Sequence, residues 1–272
     1  MKPRWIFTSE EFRQRPSIRC GMSEQEELNN RQQTASLIRS IGTGLSQVSQ
    51  KPSMKTIAVN TAMVFMHRFY MHHPFQKYPP KSTAPALLFL AAKVEETPVR
   101  LAYIVKTFWM ITNPRKKGDK DDRKPPTEWY DKAVKELIAN ENLILQTIGF
   151  DVVVEHSQPA VVVGTDIFKL NRKIAQLAYD LARESLHFTT LCLKYKPTTI
   201  AATCFNIAQK GANIDLGKSI ENKDWWLYID PELDAETLKM VTDEFLDQIA
   251  KNNHLFHKHI PYLKEFQSNP VR

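Results

Sequence analysis

Two charged residues stand where the surrounding pattern is apolar. The stretch LLFLAAKVEETP, residues 87–98, ends an apolar run of nine residues, Ala84–Ala92, with Lys93 and then Glu95 and Glu96. Farther on, Val134, Ile138, Glu141, Leu145 and Ile148 follow one line of a helix at spacings of 4, 3, 4 and 3, with one carboxylate among four aliphatic side chains. A carboxylate on an apolar face needs a partner, because burying it unpaired is costly. Lys93 is a candidate. Spacing alone leaves two readings open: an internal salt bridge, or two charges held for another protein. Lys93 also suits a helix carboxyl end by itself, where a cation meets the negative end of the backbone dipole.

Other chemistry is sparse. The sequence has no G-x-G-x-x-G, no G-x-x-x-x-G-K-[ST], no G-x-S-x-G and no H-E-x-x-H. His67, His72 and His73 cluster in HRFYMHH, and His254, His257 and His259 in HLFHKH, but no cysteine or acidic residue joins them at ligand spacing. Partly exposed histidines at helix ends are expected there, with no metal, no cofactor and no catalytic residue. The loop 113–126 carries six basic and three acidic residues and reads as a solvated loop rather than a phosphate-binding patch. Trp225-Trp226 reads as an anchor to a core rather than a base-stacking pair.

Helices must position these groups. TSEE at Thr8–Glu11 and SEQE at Ser23–Glu26 have the pattern of capping boxes. Ala58, Ala62, Phe65 and Phe69 make one stripe of a largely buried helix between Ser53 and Met71. Ser82 is placed to cap the next helix, with Pro85 in its first turn; apolar on nearly every side, this helix belongs at the centre of a bundle. Thr97-Pro98 has the form of a new helix start, with Leu101, Ile104, Val105, Phe108 and Ile111 on one face. Helix resumes at Thr127 and runs to Gly149, a glycine cap. DVVVEHSQP reads as an extended linker, followed by helices at 159–170, 172–188, 198–212 and 234–252, with DWWLYID as a short turn or helix. A faint repeat at an offset of 116 sets Thr83, Ala86, Phe89 and Ala92 over Thr199, Ala202, Phe205 and Ala208, while Lys93 falls on Gln209.

Composition bounds the rest. The 272 residues suggest two domains at a prior of roughly 150 residues each. Three cysteines without C-x-x-C spacing fit a reducing compartment and argue against a zinc ribbon. The apolar run Ala84–Ala92 is far short of the ~18 residues of a membrane span, and MKPRWIFTSEEF lacks a signal-peptide core, so a soluble intracellular chain is expected. A net charge of +7 over this length is a weak argument for nucleic acid.

Several segments resemble a cyclin. LFLAAKVEET resembles the central helix of a cyclin box, NENLILQTIGFDV its fifth helix and VFMHRFYM its second. The last carries His67-Arg68-Phe69, as transcriptional cyclins do, where many cell-cycle cyclins have Asp-Arg-Phe. RWIFTSEEF, NNRQQTASLI and DWWLYID narrow the resemblance to the cyclin T group, with cyclin K as a close relative, and ESLHFTTLCLKYKP is more similar to cyclin T. The resemblance covers nearly the whole chain.

That resemblance implies an all-α fold of two tandem five-helix cyclin boxes with an N-terminal helix. Residues 1–22 would be the N-terminal helix and lead-in, 23–150 the first, kinase-binding box, 151–265 the second box and 266–272 a tail. It implies that Lys93 and Glu141 together grip a cyclin-dependent kinase, that Glu96 pairs with a basic kinase residue, and that Phe89 and Phe150 add apolar area beside them. The implied partner is a transcriptional kinase of the P-TEFb type in a nuclear heterodimer, reaching the C-terminal domain of RNA polymerase II through the kinase, with no small-molecule substrate and no membrane. The Met-Arg-Ala-Ile-Leu groove of cell-cycle cyclins is replaced by RQQTASLI, so substrate docking there is not expected. Three alternatives remain: a cyclin K-type partner of a related kinase, a tandem cyclin-fold nucleic-acid-binding factor of the TFIIB type, and a metal-dependent enzyme using the histidine clusters.

Overall fold

The computed structural model describes residues 4–49, 53–114, 124–212, 216 and 223–250. Most of the basic loop at 113–126, the histidines at 254, 257 and 259, and residues 266–272 lie outside the described residues. Among the described residues every regular element is a helix. The chain divides into two compact units, one of Ser9–Val154 and one of Met1–Thr8 with Glu155–Arg272.

In the unit Ser9–Val154, the expected N-terminal helix is two short ones, α1 (Ser9–Arg13) and α2 (Pro16–Arg19). Pro16 at the first position of α2 holds Arg15 in an extended conformation, φ −62° and ψ 150°, which interrupts the helix. Then α3 (Glu24–Ser49) begins with the anticipated capping box. The Ser23 N–H donates to Glu26 Oε2 at 3.0 Å, and the Glu26 N–H donates to Ser23 Oγ at 3.3 Å. The Ser23 N–H, and with it the Ser23 hydroxyl donating to the same Oε2 at 2.8 Å, hold the Glu26 carboxyl below its ordinary pKa.

The centre is built from α4 (Thr56–Phe69) and α5 (Pro80–Val94). The stripe Ala58, Ala62, Phe65 and Phe69 is fully buried. Ser82 does not cap α5. The helix starts two residues earlier at Pro80, whose fixed φ suits the first helical position, and Ser82 Oγ donates back to Pro79 O at 2.9 Å. Pro85 therefore lies in the second turn; packing overrides its poor propensity, because every residue from Thr83 to Ala92 is buried. Around α5 pack α3, α4 and α7 (Thr127–Thr147), with α6 (Leu101–Thr112) against α3.

The second unit repeats the plan with α8 (Ser157–Ile167), α9 (Arg172–Phe188), α10 (Pro197–Ala212) and α11 (Ala235–Ala250). Its central helix α10 packs on α8, α9 and α11 and buries every residue from Thr199 to Ala208. That window is the α5 window shifted by 116, so the faint repeat marks two equivalent buried helices. Trp225, in a 3-10 turn over Trp225–Tyr228, is buried and meets Phe168 edge to face at 6.0 Å, an anchor to the core.

Gly164 lets α8 approach this core. A Cβ there would lie 2.5 Å from Ile229 Cδ1 and 2.6 Å from Phe205 Cε2, and Phe205 is itself buried. Gly164→Ala is therefore expected to destabilise the second unit by about 1–3 kcal/mol, read as a lower urea midpoint.

Candidate functional site

The candidate residues lie on the carboxyl-terminal halves of α5 and α7 and in the turns that close them. Both helices stop in the same way. At α5, the Thr97 N–H donates to Ala92 O at 2.9 Å and the Glu96 N–H to Lys93 O at 3.3 Å. At α7, the Phe150 N–H donates to Leu145 O and the Gly149 N–H to Gln146 O, each at 3.0 Å. These paired bonds are the Schellman arrangement, which needs a left-handed residue just past the helix. Gly149 supplies it for α7 at φ 61°, and Glu96 supplies it for α5 at φ 50°. Thr97 thus closes α5 instead of opening a new helix, and α6 starts at Leu101, three residues later than Pro98 would have it. Phe150 follows at φ 60°, a second left-handed residue in succession.

Glu96 carries strain that a glycine would not. A left-handed L-residue costs about 1–2 kcal/mol, part of which glycine returns as unfolded-chain entropy. Glu96→Gly is expected to stabilise the chain by about 0.5–1 kcal/mol, read as a raised thermal midpoint. Glu96 is exposed and forms no ion pair among the described residues, so its charge adds little to that balance.

Lys93 and Glu141 meet. Lys93 Nζ lies 2.6 Å from Glu141 Oε1 and 4.1 Å from the centre of the Phe89 ring. The ammonium is thus held by a carboxylate and an aromatic face together. The Lys93 side chain is 48% exposed and that of Glu141 only 12%. The carboxylate is set into the helix face with its cation as a half-open cover. An ionised carboxylate has room for about four hydrogen bonds, and among the described residues Lys93 is its partner. Phe89 is buried at the foot of the pair, while Phe150 is 68% exposed.

The buried edge of α7 is Leu137, Glu141, Ile144 and Ile148, so the expected line through Ile138 is corrected: Ile138 is exposed. Two helical lines share Glu141, and packing on α5 selects the other one. Asn140 Nδ2 helps by donating to Ser82 O at 2.9 Å. Two exposed apolar side chains were not named as contacts from the sequence: Ile138, three residues before Glu141, and Val153, three after Phe150. Their spacing from the two named residues was the available signal. In the second unit Gln209 stands at the position of Lys93. Its amide is used locally, donating to Asn206 Oδ1 at 3.1 Å and accepting from the Leu216 N–H at 3.3 Å.

The histidines lie elsewhere. His67 is buried rather than partly exposed: its Nδ1 is 3.2 Å from Arg31 Nη1, which also donates to the His67 carbonyl at 3.1 Å. His73 stacks on Phe69 at 4.5 Å with Nε2 2.9 Å from Thr147 Oγ1. Desolvation, then the charges of His72 and Lys77, hold its pKa below the ordinary imidazole value. Arg31 also joins a buried network that sequence reading missed, with Glu27 Oε1 2.6 Å from Arg31 Nη2 and Glu27 Oε2 3.1 Å from Arg15 Nε. Its sequence signal was the Glu27/Arg31 spacing of four.

Comparison with known proteins gives this architecture its class. Residues 4–153 match the family "Cyclin, N-terminal domain", and the chain belongs to the cyclin family. Residues 156–248 match "Cyclin-T2-like, C-terminal domain". Over 250 residues the chain is 40% identical to Cyclin-T2 of Mus musculus, covering 91% of this chain and 33% of that protein. It is 38% identical to Cyclin-T1 of Homo sapiens over 248 residues, again 91% of this chain and 33% of that protein. The chain thus spans about a third of the length of these relatives. In fold it is similar to a chain of the yeast RNA Pol II CTD kinase CTDK-1 complex, with a TM-score of 0.70 at 17% identity over 90% of this chain and 73% of that one.

Proposed function

We propose that the chain is a regulatory cyclin subunit that binds and activates a cyclin-dependent kinase of the P-TEFb type in the nucleus. Through that kinase it promotes phosphorylation of the C-terminal domain of RNA polymerase II and transcription elongation. The observation that carries this reading is the Lys93–Glu141 pair: a recessed carboxylate of α7 beside the end of the buried helix α5, capped by a half-open ammonium, with acceptor capacity to spare. Phe89, Lys93, Glu96, Glu141 and Phe150 are the proposed kinase contacts. The similarity to Cyclin-T2 and Cyclin-T1 over both halves supports the T-type choice, and the fold shared with a chain of the yeast RNA Pol II CTD kinase CTDK-1 complex is in keeping with a kinase partner.

The mechanism is a population shift in the partner. Lys93 donates to carbonyls of the loop leading into the kinase's regulatory helix. Glu141 accepts from the unpaired N–H groups at that helix's start, where the backbone dipole favours an anion. Phe89, Phe150, Ile138 and Val153 supply apolar area around the charges. Docking holds the helix inward, so that its glutamate pairs with the kinase lysine that orients ATP. The cyclin adds no catalytic group. A pull-down from nuclear extract with identification of the bound kinase tests this. Recovery of a transcriptional cyclin-dependent kinase whose activity rises on binding is the expected result, and binding without any such kinase overturns it.

A further inference from the structure

We propose that Thr97 is a phosphorylation site at which a proline-directed protein kinase prevents this chain from docking its own kinase partner. The proposal rests on the functional reading above and adds its regulation. The sequence has 16 prolines, and Thr97-Pro98 is the one place where serine or threonine precedes proline. The segment 97–100 is neither helix nor turn, and Arg100 is extended at φ −63° and ψ 133°. Thr97-Pro98-Val99-Arg100 is therefore a non-helical segment in which proline lacks an N–H and a cation sits three residues beyond the threonine. The Thr97 hydroxyl is loosely held. It donates to Ala92 O at 3.4 Å, whereas the backbone N–H of the same residue reaches that carbonyl at 2.9 Å.

In the reaction, Thr97 Oγ1 attacks the γ-phosphorus of ATP carried by the modifying kinase. The bond from that phosphorus to the β–γ bridging oxygen breaks, ADP leaves, and the hydroxyl proton passes to a base of that kinase. The product places about 1.5 to 2 negative charges at the negative end of α5, beside Glu95 and Glu96. The one basic residue in the last turn of α5 is Lys93. A phosphate at Thr97 competes for that ammonium with Glu141, and a dianion outbids a single carboxylate. The docking pair is then broken, and the Schellman closure that holds Glu96 in place loosens. Because the partner covers this helix end, the modification acts on the free subunit.

The test treats the full chain with a purified proline-directed kinase and MgATP and maps phosphate by mass spectrometry. Affinity for the cyclin-dependent kinase is titrated before and after, with hydrogen exchange at Glu96 and Thr97 alongside. One phosphate on Thr97, an affinity lower by about tenfold or more and faster exchange at both amides are expected. Thr97→Ala takes up no phosphate there, and treatment leaves its affinity where it was. A chain already bound to its kinase resists modification. Absence of phosphate on Thr97, or a phosphorylated chain that binds as tightly as the untreated one, overturns the proposal. An untreated chain that binds no cyclin-dependent kinase overturns the functional reading instead.

Discussion

Glu141→Ala is expected to weaken binding of the cyclin-dependent kinase by about 2–5 kcal/mol while the chain itself stays folded. The asymmetry of the pair explains why. Removing Glu141 strands Lys93, whose side chain is 48% exposed and is rehydrated at small cost. In the proposed complex, the same change would leave the first N–H groups of the kinase helix facing a methyl group. That is an unsatisfied and desolvated end, the expensive kind of loss. Lys93→Ala has the opposite balance. It strands a carboxylate whose side chain is 12% exposed, so it lowers the stability of the free chain as well as the affinity. Glu141→Gln keeps the shape and one acceptor and falls between the wild type and Glu141→Ala. Titration calorimetry with the purified kinase, set beside thermal melts of each variant alone, separates the two effects. Normal binding and activation by Glu141→Ala removes the assigned contact face.

Much of this site was legible as pattern. The uncharged run before Lys93 identified a central helix, and a carboxylate on an apolar line identified Glu141. What the pattern lacked was the third dimension. Two lines on α7 share Glu141, and only contact with α5 decides that Leu137 turns inward and Ile138 outward. Thr97-Pro98 satisfies the rules for a helix start, yet the chain uses Thr97 to end α5. Only the left-handed turn at Glu96 separates those outcomes, and a glutamate gives no local signal for it. The offset of 116 predicted equivalent helices correctly because burial on all sides constrains every residue from Thr83 to Ala92 and again from Thr199 to Ala208. At Lys93 and Gln209, just past those windows, the constraint lapses. There the two units diverge into a candidate docking site and a local amide cap.

The buried network behind the site should be costlier still to break. Glu27 has no solvent exposure and is shared between Arg15 and Arg31, whose side chains are 3% and 1% exposed. Arg15 also donates to Phe12 O at 2.6 Å, and Arg31 to the His67 carbonyl, so one carboxylate ties the lead-in, α3 and α4 together. Glu27→Ala leaves two guanidinium groups buried with no counter-charge between them, and neither can shed its proton. The expected loss is about 3–5 kcal/mol for the unit Ser9–Val154. The full chain should show it as an earlier first urea transition and faster amide exchange in α3 and α4, with the second unit unmoved. Replacing all three residues together, Glu27→Leu with Arg15→Met and Arg31→Met, removes the uncompensated charges and should recover most of that loss. If Glu27→Ala unfolded at the wild-type urea concentration, the network would contribute nothing to stability, and the rigid placement of α4 behind α5 would need another cause. If the triple variant instead fell as far as the single one, the bonds to Phe12 O and the His67 carbonyl, rather than charge balance, would be what holds α3 to its neighbours.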